Sequence, residues 1–244
     1  MFPFRQGQSG VSIRCFWEAL LPAMPMAMPP AIEEAMRQDI LKILRDRILF
    51  LEYAPGQILN ESLLAKDFGV SRSPLQKVLM RLEWEQLVRI IPRTGTMVTE
   101  IEFHKMIHVY RVRFEVEALV GRLAAEQITD RHLHEIDKLK DHCRQLLSQK
   151  NRRALVNVDF EFRKILYDAA NNPVLTDWSQ YLYHLTLRVW YSLLERTSWE
   201  EEVEGMLKEI EQTGETLARR NAEEAARVRR DFLNRYLERI RDKF

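Results

Sequence analysis

Residues Ala65–Leu82, AKDFGVSRSPLQKVLMRL, read as a short helix, a sharp turn at Gly69-Val70 and a second helix opened by Ser71-Arg72-Ser73-Pro74. Ser71 is a favourable N-cap, its hydroxyl able to take a free backbone N–H of the first turn. Pro74 falls at the third helical position, where a missing N–H costs no internal hydrogen bond. Leu75, Val78, Leu79 and Leu82 recur at three- and four-residue spacing, so one face of the second helix is buried against Leu64, Ala65 and Phe68. The other face carries Arg72, Ser73, Gln76, Lys77 and Arg81, with no acidic residue between Gly69 and Leu82. Two short helices around a glycine turn, the second presenting basic and amide groups at its N-terminus, describe a helix-turn-helix.

A helix pair of this kind is also common as ordinary packing, so the residues after it matter. Leu87-Val88-Arg89-Ile90-Ile91 and Thr96-Met97-Val98-Thr99 are two short β-rich runs around Pro92-Arg93-Thr94-Gly95, a turn with proline early and glycine late. They predict a hairpin wing whose tip, Arg93 to Thr96, lies along the DNA backbone near the minor groove.

From Leu51 to Glu100 the chain resembles the winged-helix domain of GntR-family transcriptional regulators. The residues that carry the resemblance are Pro55-Gly56-Gln57-Ile58-Leu59-Asn60-Glu61, Leu64-Ala65, Gly69 to Leu75, Arg81-Leu82-Glu83 and the wing from Pro92 to Val98. Gln76-Lys77-Val78 replace the family's usual Arg-Glu-Ala, and Gln86 stands where it usually has glycine. Losing that arginine shifts the expected base preference, because Gln suits adenine edges where Arg suits guanine. The resemblance implies contacts to DNA from Ser71, Arg72, Ser73, Gln76 and Lys77, with Arg93, Thr94 and Gly95 at the wing.

The whole chain, at 244 residues with 46% hydrophobic and 30% charged residues, has room for one large or two smaller domains. Net charge is only +1, and Ala31–Glu100 holds ten basic and ten acidic residues, so any electrostatic footprint must come from local placement. Cys15 and Cys143 make neither a disulfide framework nor zinc-finger spacing, which fits a reducing cytoplasm. No run of eighteen apolar residues indicates a membrane span. Residues 1–30 resemble a signal peptide superficially, but Glu18 and four prolines from Pro22 to Pro30 interrupt the apolar run. The expectation is a disordered extension or a start codon placed too early, with structure beginning near Ala31. Ile32, Met36, Ile40, Ile43, Leu44, Ile48 and Leu51 then share one face of a first helix that packs across the helix-turn-helix.

After residue 100 only Gly121, Gly205, Gly214 and Pro173 remain as breakers, so residues 101–244 are expected to be nearly all helix. Capping residues Thr129, Asn151, Asn172, Ser198 and Asn221 divide them into six helices: 103–128, 130–149, 152–170, 173–197, 199–220 and 222–243. The fold class is therefore mainly α, a winged helix-turn-helix domain over 31–100 and an antiparallel six-helix bundle able to surround a cavity.

Tyr110, Arg113 and Glu117, Arg122 to Glu126, Asp159-Phe160-Glu161-Phe162-Arg163 and Ala169 to Leu175 resemble the ligand-binding (FCD) domain of the fatty-acid-regulator branch of the same family. That resemblance implies a cavity in which many members hold a divalent metal through an Asp, a His four residues later and two His from the last two helices. Asp159 stands at the Asp position, Arg163 at the first His position, and the remaining positions fall near Ile210 and Phe232. The six histidines, His104, His108, His132, His134, His142 and His184, all precede the last two helices. The expectation is no metal and no cofactor. Arg163 is permanently cationic and can hold a carboxylate or phosphate by two parallel hydrogen bonds, so Arg113, Asp159 and Arg163 are the candidate effector site. The alternative stays open: Asp159 with Arg163, and Arg113 with Glu117, are four apart and can simply pair on their helices, closing the cavity.

His132 and His134 are read as a solvated helix start, Arg227, Arg229 and Arg230 as a solvated face, and Trp178, Trp190 and Trp199 as core or pocket wall. Glu200-Glu201-Glu202 suits a helix N-terminus and needs no function. No nucleophile–base pair, phosphate loop or intact metal set supports an enzyme. The residues taken together imply a cytoplasmic transcription regulator that binds an inverted repeat in double-stranded DNA as a homodimer, controlled by an organic or sugar acid, with no membrane partner. A constitutive regulator with a closed cavity is the alternative, and an enzyme built on the bundle a remote one.

Overall fold

The computed structural model describes residues 30–241. The expected N-terminal extension, with Cys15, lies outside the described residues except for Pro30, which opens the first helix. The chain divides into two compact units, one ending at Glu100 and the other beginning at Ile101.

In the first unit, α1 (Pro30–Leu49) is followed by β1 (Ile58–Leu59), α2 (Glu61–Asp67), α3 (Arg72–Trp84), β2 (Val88–Ile91) and β3 (Gly95–Val98). Met36, Ile40, Leu44 and Ile48 of α1 face inward onto Leu75, Leu79 and Leu82 of α3, all buried. Each such side chain contributes roughly 1.5–3 kcal/mol on leaving water. Asn60 caps α2, its Oδ1 accepting from Ser62 N and Leu63 N, and Gly69 turns the chain at φ +64°. Arg45 clamps α1 to the end of α3 through Nε and Nη2 on the two oxygens of Glu85, at 2.8 and 2.7 Å. Gln86, at the resembling family's glycine position, has φ +59°.

The wing hairpin forms as β2 against β3, and a third strand not expected from the sequence joins it, Ile58 and Leu59 pairing antiparallel with Met97 and Thr96 in a sheet ordered β1-β3-β2. A two-residue strand is too short to leave an alternating pattern in sequence. Ser71 does occupy the N-cap position of α3, but its side chain makes no cap hydrogen bond.

The second unit consists of α4 (Phe103–Gln127), α5 (Asp130–Gln145), α6 (Arg152–Ala170), α7 (Pro173–Leu193), α8 (Trp199–Ala218) and α9 (Ala222–Arg241). The capping residues act as their chemistry suggests: Asn151, Asn172 and Asn221 accept from Ala154 N, Leu175 N and Glu224 N at 3.0, 3.0 and 3.1 Å. Ser198 accepts from Glu201 N, with no return bond from Glu201 to make a capping box of the pair. Thr129 does form a box, with His132 Nδ1 in place of a carboxylate. Buried His132 also meets Asp168 at 3.1 Å, which corrects the reading of a solvated helix start. α5 stops at Gln145 rather than 149 because Leu147, Ser148 and Gln149 bond three residues back instead of four. α7 likewise stops at Leu193, beyond which Arg196 N bonds the Leu193 carbonyl.

α4 is the axis of this unit, packing on α6, α7, α8 and α9. Its approach to α9 requires Gly121, since a Cβ there would sit 2.8 Å from the Ala225 carbonyl oxygen. No helix among the described residues is long and apolar enough to cross a membrane.

Candidate DNA-reading helix and a buried polar cavity

α3 buries Pro74, Leu75, Val78, Leu79 and Leu82 and leaves Ser71, Arg72, Ser73, Gln76 and Lys77 exposed around its N-terminus. The helix macrodipole and free N–H groups at that end favour a phosphate. Arg72 is steadied by a 3.0 Å bond from Nη2 to Ser62 Oγ on α2. Arg81, on the same face, is committed elsewhere, bonding Glu85 at 3.2 Å and stacking 4.5 Å over Trp84. In the wing, Arg93 (φ +66°) and Thr94 are exposed at the tip. Gly95 has φ +127°, and a Cβ there would meet the Leu59 carbonyl oxygen at 3.0 Å, so sheet packing alone accounts for glycine. Thr96 is not part of the tip; it is fully buried, its hydroxyl donating to Glu61 Oε1 at 2.9 Å.

Inside the helical unit, Tyr110, Arg113, Asp159, Arg163, Tyr183, Thr186, Leu187, Trp190, Leu233 and Tyr236 surround a small cavity of about 20 Å³. Arg113, Asp159 and Arg163, the three candidate effector residues, meet here, each no more than 5% exposed. Arg163 is the more committed cation: Nε bonds Asp159 Oδ2 at 3.1 Å, Nη1 lies 3.1 Å from Glu117 Oε2 without hydrogen-bond geometry, and the guanidinium sits 4.5 Å over Tyr183. Arg113 is less so. Its Nη1 donates to Thr186 Oγ1, its faces lie against Tyr110 and Tyr183, and its Nε and Nη2 are buried without a hydrogen-bond partner. It forms no ion pair with Glu117. The other carboxylate oxygen of Asp159, Oδ1, and the hydroxyls of Tyr183 and Tyr236 are also buried without hydrogen bonds. Burial pushes the Tyr183 phenol well up from its ordinary range, and the Asp159 charge adds to it.

Glu117 instead pairs with α9. Arg229, fully buried, bonds Glu117 Oε2 at 2.7 Å and Glu209 Oε1 at 2.5 Å, and Tyr167 OH donates to Glu117 Oε1 at 3.2 Å. Desolvation pushes the Glu117 carboxyl up, but Arg163, Arg229 and Arg113 outweigh it and hold it at about 2. Arg229 is thus no part of a solvated face. Its spacing from Ala225, Ala226, Phe232 and Leu233 sets it on the apolar face of α9, a signal the run of arginines hid. Glu202 is likewise buried, accepting from Trp190 Nε1 at 3.2 Å and paired with Arg239. Of the three tryptophans, Trp190 lines the cavity, Trp199 donates to the Leu146 carbonyl at 2.6 Å, and Trp178 is 55% exposed, contrary to expectation.

The residues do not fit the divalent metal that the resemblance implies. Asp159 carries the Arg163 guanidinium on its Oδ2, where a second cation would be repelled, and Ile210 and Phe232 offer no donor atoms. Among the described residues no three His, Cys, Asp or Glu side chains are grouped to hold an ion.

The FCD domain model matches residues 108–235, over half the chain, and the model of bacterial regulatory proteins of the gntR family matches residues 36–98. The chain belongs to the GntR family of transcriptional regulators. Among similar GntR-type proteins, the HTH-type transcriptional regulator McbR of Escherichia coli K12 is 27% identical over 129 residues, 53% of this chain and 58% of that protein. The HTH-type transcriptional repressor RspR of the same organism is 26% identical over 165 residues, 68% of this chain and 72% of RspR. The solved structure of E. coli McbR/YncC superposes with a TM-score of 0.77 at 20% identity, covering 85% of this chain and 98% of that one. A GntR regulator from Rhodococcus sp. RHA1 gives 0.67 at 17% identity, over 86% of this chain and 99% of that one. At these identities the structures speak for the fold. The matched families and relatives are transcriptional regulators, not enzymes.

Proposed function

We propose that this GntR regulator binds an inverted-repeat operator as a cytoplasmic homodimer and that a small carboxylate in the helical unit controls it. The observation that carries the control is the free edge of Arg113. Nε and Nη2 form the side of the guanidinium that grips a carboxylate elsewhere in this chain, Arg45 on Glu85 and Arg122 on Glu223. At Arg113 the same edge is buried and unpartnered. A buried donor left unmade is costly, and a bidentate carboxylate satisfies both. Arg113 is the anchor in this reading, and Arg163 with Asp159 frames it. The rival of a permanently closed cavity has its Asp159–Arg163 pair, but that pair leaves the Arg113 edge unmatched.

Ser71, Arg72, Ser73, Gln76 and Lys77 enter the major groove, and Arg93, Thr94 and Gly95 follow the backbone at the wing. The second copy docks on apolar side chains that α4 and α7 expose, Val112 and Leu119 on the one and Val174 and Trp178 on the other. Repression is the sense of control that the name of RspR favours. Selection of binding sites from a random duplex pool by the full chain tests the core of this. A palindromic consensus with half-sites about one helical turn apart is expected, and recovery of no consensus would remove the DNA-binding assignment.

A further inference from the structure

Among the described residues of the first unit, Met80 is the most exposed large apolar side chain, at 62%. At about 100° of turn per residue, it stands within about 30° of the line opposite Leu75, Val78, Leu79 and Leu82, the buried side of α3. Ser73, Gln76 and Lys77, all exposed, precede it by seven, four and three residues and share its side of the helix. A helix lying along the major groove, as the third helix of a homeodomain does, touches base edges from positions of this spacing, i, i+3, i+4 and i+7. Met80 completes the set. The next exposed side chains, Arg81 and Trp84, are engaged with Glu85 and with each other.

Chemistry decides what Met80 can recognise. A thioether has no hydrogen to donate and is only a weak acceptor, so it gains little from the polar groups of a base edge. It gains from apolar surface, and the apolar group that base pairs present in the major groove is the C5-methyl of thymine. Covering that methyl takes apolar area of both partners out of water. The unbranched Met side chain adapts to such a contact without demanding one backbone approach.

We infer that Met80 reads a thymine methyl in each half-site and is a specificity-determining residue of α3. This rests on the proposed placing of α3 in the major groove. Gln76 sets the register: its amide suits an adenine edge, and it precedes Met80 by about 6 Å of helix rise, so the thymine lies within about two base pairs of that adenine, on either strand.

The test is anisotropy titration of the full chain on the selected operator, with each thymine replaced in turn by deoxyuridine, which removes the methyl and keeps the pairing edge. Selection repeated with Gln76→Ala locates the adenine. One thymine within about two base pairs of it should carry the effect, its replacement weakening binding about fourfold in one half-site and about fifteenfold in both. Met80→Gln, which keeps the length of the side chain at an exposed position, should bind the thymine and deoxyuridine operators equally. A recovered operator on which no replacement matters, or a Met80→Gln chain that senses the methyl as the natural chain does, overturns the Met80 assignment while the major-groove reading stands. A consensus that neither Arg72→Ala nor Gln76→Ala alters, or no consensus at all, overturns both.

Discussion

Arg113 and Arg163 differ less in sequence than in what reaches them. Both were legible as candidates from the resemblance around Tyr110 and Asp159, but which one keeps a free edge depends on Thr186, Glu117 and Arg229, brought from other helices. Arg229 itself was misread because a run of arginines suggests solvent, while its register with Phe232 and Leu233 sets it inside. Removing one partner of a buried pair strands the other, so Arg229→Ala should destabilise the helical unit by about 3–5 kcal/mol in chemical denaturation. A loss under about 1 kcal/mol would mean Glu117 and Glu209 find water. Glu117 also gives a pH dependence. Its carboxyl falls from an ordinary 4.5 to about 2 on folding, so its contribution is complete above pH 4.5 and is lost as pH falls towards 2. The linked stability is roughly 3 kcal/mol, and Glu117→Gln should flatten the denaturation-against-pH curve across that window.

At the level of elements, sequence was most informative where capping chemistry is local. Asn151, Asn172 and Asn221 each start the helix they predict, and Asn171 takes the left-handed cap between α6 and α7 at φ +46°. Helix ends were less legible, because the final turns of α5 and α7 tighten to three-residue bonds that no residue type announces. β1 escaped notice for a different reason: its two residues are fixed by pairing with β3 rather than by their own pattern. α3 was legible as a helix apart from the silent Ser71 cap, since its buried and exposed faces follow from spacing alone. Arg72→Ala should cost about 1–3 kcal/mol of binding to the selected site, and Lys77→Ala should lower the salt slope by about one if it meets a phosphate. Fluorescence anisotropy at several salt concentrations separates the two effects; unchanged affinity in both variants would mean another face reads the DNA.

For the whole molecule, the apolar side chains exposed on α4 and α7 are the surface that the proposed dimer covers. Val112, Leu119, Val174 and Trp178 are 52%, 38%, 67% and 55% exposed, and a two-fold partner would cover them. Trp178→Glu should convert a dimer in sedimentation equilibrium to a monomer that retains its helical circular dichroism. A dimer unaffected by the charge would place the interface elsewhere. Control of DNA binding requires that the ligand favour one arrangement of the dimer over the other, and coupling of this kind is typically about 5–150-fold in affinity. The most direct measurement is therefore operator affinity by anisotropy, for the natural chain and for Arg113→Gln, with and without the carboxylate that most raises the melting temperature. The natural chain should change affinity about fivefold or more on ligand addition, while Arg113→Gln binds the operator normally and ignores the ligand. An operator affinity indifferent to the ligand in the natural chain, or an equal response in the variant, would contradict control through the buried Arg113 edge.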